Sequence, residues 1–155
     1  NEITEDEVPV LHEQVQLFEE EPALATLVVK AEPSRLADEI EPSVHDLASQ
    51  HSADITRTAN EFCLLTDSAK DAVTIALTLD DGRPARVTLR MGIDAASNGS
   101  TGDEAALIKR SRYLASLSTG NLLVSRAAFD GLTPGDFTVE RFHSSFVQDD
   151  IYEVA

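Results

Sequence analysis

The order of predicted elements, strand, helix, hairpin, helix, strand, places this 155-residue chain in the α+β class as a ferredoxin-like βαββαβ core with an additional helix and further strands. Two observations support that class. The hydrophobic period switches repeatedly between two and about 3.6 residues along the chain, and 42% apolar residues is enough to bury a core. The order predicts an antiparallel sheet with helices on one face. No internal repeat or low-complexity tract competes with a single unit.

Residues 1–22 carry eight acidic residues and no Lys or Arg, interspersed with apolar Val8, Val10, Leu11, Val15, Leu17 and Phe18. They read as an acidic arm or linker preceding a domain at 23–155. The run Ala23 to Val29 is apolar and β-branched, as a buried strand requires. Leu36, Ile40, Val44 and Leu47 then recur at helical spacing. Pro42 lacks an amide donor and predicts a kink or two short helices. Asp54–Thr58 and Phe62–Leu65 flank Ala59-Asn60-Glu61 as a hairpin. Asp67 is the expected cap of a helix through Ala69, Ala72, Val73, Ala76 and Leu77, stopped by Asp80-Asp81-Gly82.

Val87, Leu89, Met91 and Ile93 alternate with other residues as in a half-buried strand. A small polar loop over 95–102 follows, and Thr101 and Glu104 stand at capping-box spacing before a helix over about 103–118. Leu107, Ile108, Leu114 and Leu117 form its apolar stripe, with Lys109, Arg110 and Arg112 beside it and Gly120 ending it. Asn121–Ser125 reads as a strand, and Phe137–Val139 and Ile151–Val154 as edge strands.

Composition excludes several functions. With 12 Lys+Arg against 28 Asp+Glu, the net charge is −16 and only 5% of residues are aromatic. A nucleic-acid binder needs a cationic face to displace phosphate counterions, so none is expected. Cys63 alone cannot form an internal disulfide, which suits a reducing, cytoplasmic setting. No apolar run reaches membrane-spanning length, and the acidic start is unlike a signal peptide, so no direct membrane contact is expected of this segment. The chain begins at Asn1, as a segment of a longer protein would. His12, His45, His51 and His143 are scattered without a Cys or carboxylate pair at ligand spacing, so neither a metal nor a cofactor is expected. His45 and Asp46 are adjacent and diverge on a helix, and no G-x-S-x-G elbow is present.

Leu107-Ile108-Lys109-Arg110-Ser111-Arg112-Tyr113-Leu114-Ala115-Ser116-Leu117, followed by Gly120-Asn121-Leu122-Leu123-Val124-Ser125, resembles the class III adenylate/guanylate cyclase homology domain. That family reads A-V-N-x-A-A-R-L-x-x-L and then P-G-x-I-L-V-S. Arg90-Met91-Gly92-Ile93 is similar to its R-I-G-I strand, the small residues from Asp67 to Leu77 to its preceding helix, and Tyr152-Glu153-Val154 to its closing strand. The hairpin Ala59-Asn60-Glu61-Phe62 bears a weaker resemblance to the G-G-D-E-F hairpin of diguanylate cyclases, without the glycines.

The resemblance implies ATP or GTP cyclisation at a dimer interface, with two carboxylates holding two divalent ions and an Asn/Arg pair stabilising the transition state. This chain departs at each position. Ala31, beside Lys30 and near Glu32, stands where the first carboxylate belongs, and Asn60 stands at the second. Lys109 and Tyr113 replace the Asn and Arg, and Arg112 is one residue, about 100°, away. Groups that act as a unit on one transition state lose their effect together. The resemblance therefore implies a degenerate, non-catalytic domain, a regulatory or dimerisation module of bacterial signalling acting as a homodimer or with a heteromeric partner. Two alternatives stand beside it: a weak nucleotide or anion sensor using Lys109, Arg110, Arg112 and Thr101, and a residual cyclase completed by a partner subunit.

Overall fold

Strand β1 (Ala25–Glu32) is the centre of the molecule, and its burial shows why. Ala25 through Val29 are all buried, so a continuous apolar run has been covered on both faces rather than one. β1 pairs antiparallel with β3 (Glu61–Thr66) on one side and β4 (Thr88–Ala95) on the other. β2 (Asp54–Thr58) closes the hairpin onto β3, while β5 (Leu122–Ser125), β7 (Ile151–Val154) and β6 (Val139–Arg141) extend the sheet beyond β4. The seven-stranded order is β2-β3-β1-β4-β5-β7-β6. The computed structural model describes residues 24–96, 103–142 and 150–155; the acidic arm 1–22, Thr101, His12, His143 and most of the polar loop 95–102 lie outside them.

Helices α1 (Ala37–Gln50) and α2 (Ala69–Gly82) cover one face of the sheet. Their buried residues, among them Ile40, Val44, Ala72, Val73 and Ala76, pack with Leu27, Val29, Ala31, Phe62 and Leu64 in the main core. Helix α3 (Glu104–Leu117) packs on the opposite face, where Ala115 meets Val28 and Cys63, and Leu114 meets Leu123 and Ile151. The expected core is present, β2-β3-β1-β4 antiparallel with α1 and α2 on one face; α3, the additional helix, takes the other face, and the sheet becomes mixed only beyond that core, where β4 and β5 run parallel. The face taken by a helix in a parallel crossover is set by the hand of that crossover, which the hydrophobic period does not encode. For the same reason β4 is more than half-buried: Gly92 and Asp94 lie beneath α3.

Several local expectations shift. Pro42 sits within one uninterrupted α1, entered through a 3-10 turn at Ser34–Leu36, with the proline on the exposed face. The cap of α2 is Ser68, whose hydroxyl accepts from the Asp71 amide, rather than Asp67, and α2 runs through Asp80-Asp81 to Gly82. Asp103 caps α3 by accepting from the Ala105 amide, the role expected of Thr101. The hairpin loop is the two residues Ala59-Asn60, with Ala59 at φ +54° and Glu61 already in β3. β7 lies inside the sheet order and only β6 is at that edge. A short helix, α4 (Arg126–Asp130), follows β5 and has no sequence counterpart above.

Candidate functional site

The site built by the α3 face starts from strand alternation. Residues paired directly across antiparallel strands share a face. Val28 pairs with Cys63 and Gly92, and all three lie toward α3. Two residues further, Lys30 pairs with Glu61 and Arg90. Lys30, Glu32, Glu61 and Arg90 therefore occupy the α3 face at the hairpin end of the sheet. Ala31 does not: its methyl is fully buried in the core against the α1 and α2 side.

Ala31 and Asn60 nevertheless meet. The Asn60 Nδ2 donates to the Ala31 carbonyl at 2.7 Å, and the Ala31 amide donates to the Asn60 carbonyl at 3.0 Å. The carboxamide of Asn60 is thus committed to the neighbouring strand, holding the hairpin tip against the end of β1.

Both nearby carboxylates are held by arginines. Arg112 on α3 donates to Glu61 twice over, Nε to Oε1 at 3.0 Å and Nη2 to Oε2 at 2.7 Å. This planar two-point geometry is the strong form of the carboxylate–guanidinium contact, and it raises the Arg112 pKa above its ordinary value through the Glu61 hydrogen bond and charge. Glu61 is only 15% exposed. Glu32 Oε1 lies 3.0 Å from Arg90 Nε, an ion pair whose N–H is out of line for a hydrogen bond. Beneath Glu61, burial pushes the Cys63 thiol pKa up and the Glu61 charge adds to it, partly offset by Arg112. A thiol held protonated in this way is a packing group rather than a nucleophile.

Of the remaining predicted site residues, Lys109 and Tyr113 lie one turn apart on the exposed ridge of α3, with Tyr113 46% exposed. Arg110 is also exposed. Arg112 is the predicted site residue of α3 that is bonded to the hairpin, through Glu61. The Glu61–Arg112 and Glu32–Arg90 pairs were missed in sequence, although period-two alternation from Val28 would have placed both acids on one face. Among the described residues, no three His, Cys, Asp or Glu side chains come together as metal ligands, and no helix is long and apolar enough to cross a membrane.

Under α3 a buried polar cluster locks helix to sheet. Ser111 Oγ donates to the Thr26 carbonyl at 3.1 Å and accepts from the Asp94 amide at 3.0 Å. Thr26 Oγ1 donates to the Leu107 carbonyl at 3.1 Å, and Ser125 Oγ donates to Asp94 Oδ1 at 2.6 Å.

No family model and no curated protein matches the chain by sequence. Solved structures match it by shape. The guanylate cyclase domain of RhGC from Catenaria anguillulae, in complex with GTP, superposes with a TM-score of 0.68 at 12% identity over 87% of this chain and 97% of that one. The adenylyl cyclase CyaB from P. aeruginosa gives 0.64 at 13% identity, covering 86% and 93%. The non-canonical dimeric guanylyl cyclase domain of the RhoGC fusion protein from the aquatic fungus Blastocladiella emersonii gives 0.69 at 10% identity, covering 86% and 93%. With its seven-stranded sheet between α1 and α2 on one side and α3 on the other, this chain has the fold of the class III nucleotidyl cyclase domains.

Proposed function

We propose that this chain keeps the cyclase-like fold for a regulatory or protein-interaction role, as a dimerisation module in cytoplasmic signalling, and does not cyclise nucleotides. One observation carries the reading: Glu61 and Glu32, the carboxylates on the α3 face at the hairpin end, are each held by an arginine, and the Asn60 amide is turned onto a backbone carbonyl. Divalent ions are gripped by several anionic oxygens at short range. Here a cation would have to displace Arg112 before meeting Glu61, and at Glu32 it would meet the competing charge of Arg90. The exposed Lys109 and Tyr113 ridge of α3 is then available to a partner, either a second copy or another cyclase-like domain.

Incubation with ATP or GTP and magnesium or manganese is expected to yield no cyclic nucleotide, while sedimentation of the chain alone and with a cyclase-like partner reports association. Cyclic product that disappears on Asn60→Ala or Lys109→Ala would overturn the reading. The alternative of an anion sensor draws less support, because Arg112 is engaged by Glu61.

A further inference from the structure

The sheet face that carries α3 also carries two acids without a counterion. Leu123 of β5 packs against Leu114 of α3, and it pairs with Gly92 on one side and Glu153 on the other. Glu153 in turn pairs with Glu140 of β6, so both glutamates project from the α3 face. Phe142, two residues beyond Glu140, confirms the alternation by packing in the cluster of Leu114, Leu123 and Ile151. Like charges directly opposite on neighbouring strands destabilise the pairing. Neither glutamate has an ion-pair partner among the described residues, and Arg141, the next residue after Glu140, is paired with Asp150 instead.

The complementary charge stands on the same face. From Ala105 to Leu117, α3 carries Lys109, Arg110 and Arg112 and no acid. Arg112 is engaged by Glu61, but Lys109 has no ion-pair partner among the described residues. Tyr113, one turn on, is the exposed large hydrophobic side chain among them, and Ala105, Ala106 and Ser116 beside this ridge are small and exposed. Position agrees with charge. α3 packs on β1, β4 and β5, and at about 4.8 Å per strand Glu153 and Glu140 stand about 10 and 14 Å to the side of β4. A helix is about 10 Å across, so the step beside α3 has the width of one more helix, and no helix of the described residues fills it.

Two chains of net charge −16 repel at long range, so a contact between copies has to set opposite charges together. This face does so with itself. A two-fold rotation that lays α3 of one copy over β7 and β6 of the other brings each Lys109 to the other copy's Glu140 and Glu153, and the same contact recurs across the axis. We infer that the chain forms a two-fold dimer through this face, with the Lys109 and Tyr113 ridge of each copy seated beside Glu140 and Glu153 of the other and the two α3 helices side by side between the sheets. This pairing rests on the interaction role proposed above and makes the partner a second copy.

Sedimentation equilibrium of the full chain measures the association, with circular dichroism to verify that each variant is folded. Lys109→Glu alone, and Glu140→Lys with Glu153→Lys together, are each expected to raise the dimer dissociation constant at least about tenfold, because both contacts across the axis then join like charges. Mixing the two variants is expected to restore dimers to near the wild-type level, since one contact is then reversed in sign and the other is native. A wild-type chain that stays monomeric overturns the inference and assigns the ridge to a different cyclase-like domain, leaving the absence of cyclisation untouched. A dimer that tolerates Lys109→Glu, or folded variants whose mixture stays monomeric, also overturns it. Failure of the proposed function reads out separately, as cyclic nucleotide made by the wild-type chain.

Discussion

Adding one methyl group at Gly92 should separate α3 from the sheet. A Cβ built there would lie 2.2 Å from the Ser111 carbonyl oxygen, 2.6 Å from the Ala115 amide nitrogen and 2.7 Å from the Leu114 Cβ. Two of these are backbone atoms of α3 and cannot swing aside. Reaching even 3.0 Å, the floor of real Cβ contacts, requires a retreat of 0.8 Å by the whole helix. That retreat would loosen Leu114 and Ala115 from Val28, Cys63 and Leu123 and stretch the Ser111 bonds to Thr26 and Asp94. Overpacking a rigid site costs about 3 kcal/mol at the upper end of its usual range, and for a chain of this size that lowers Tm by roughly 6–12 °C. Urea unfolding followed by circular dichroism measures it, with Gly82→Ala as the control because nothing lies within 4 Å of that position. A loss below about 1 kcal/mol for Gly92→Ala would refute the close approach of α3 to β4.

Two further predictions rest on single contacts. Ser111→Ala removes the acceptor of the buried Asp94 amide and the donor to the Thr26 carbonyl, and should cost about 1–3 kcal/mol in the same unfolding assay. Glu41 is held below its ordinary pKa of 4.5 by hydrogen bonds first from His45 and then from Arg57. A carboxyl depressed in the folded state contributes stability above its unfolded pKa and loses it as pH falls through the folded value, so this contribution fades below pH 4.5. Arg57→Ala should move the Glu41 titration, followed by carboxyl NMR, upward toward 4.5; an unmoved midpoint would refute the pairing.

Legibility in the sequence followed range. The burial of β1, the periodicity of α2 and α3 and the hairpin strands were readable because each is a local repeat of apolar positions. Caps were readable only in kind: Ser68 and Asp103 do the work expected of neighbours, since Ser, Thr and Asp compete for that role and the backbone turn chooses among them. α4 escaped notice because five residues are too few to show a period, although Ser125 caps it by accepting from the Ala128 amide.

Sequence alone, then, determined the class of fold, the main strands and the long helices. Tertiary structure decided which face α3 covers, that the Ala31 methyl turns into the core while Glu32 and Glu61 face α3, and that Arg112, 51 residues from Glu61, engages that carboxylate. The physical reason is that a residue pattern encodes the period of its own element, whereas the face a helix takes and the partner a charge finds depend on crossover hand and strand register, which many distant residues set together.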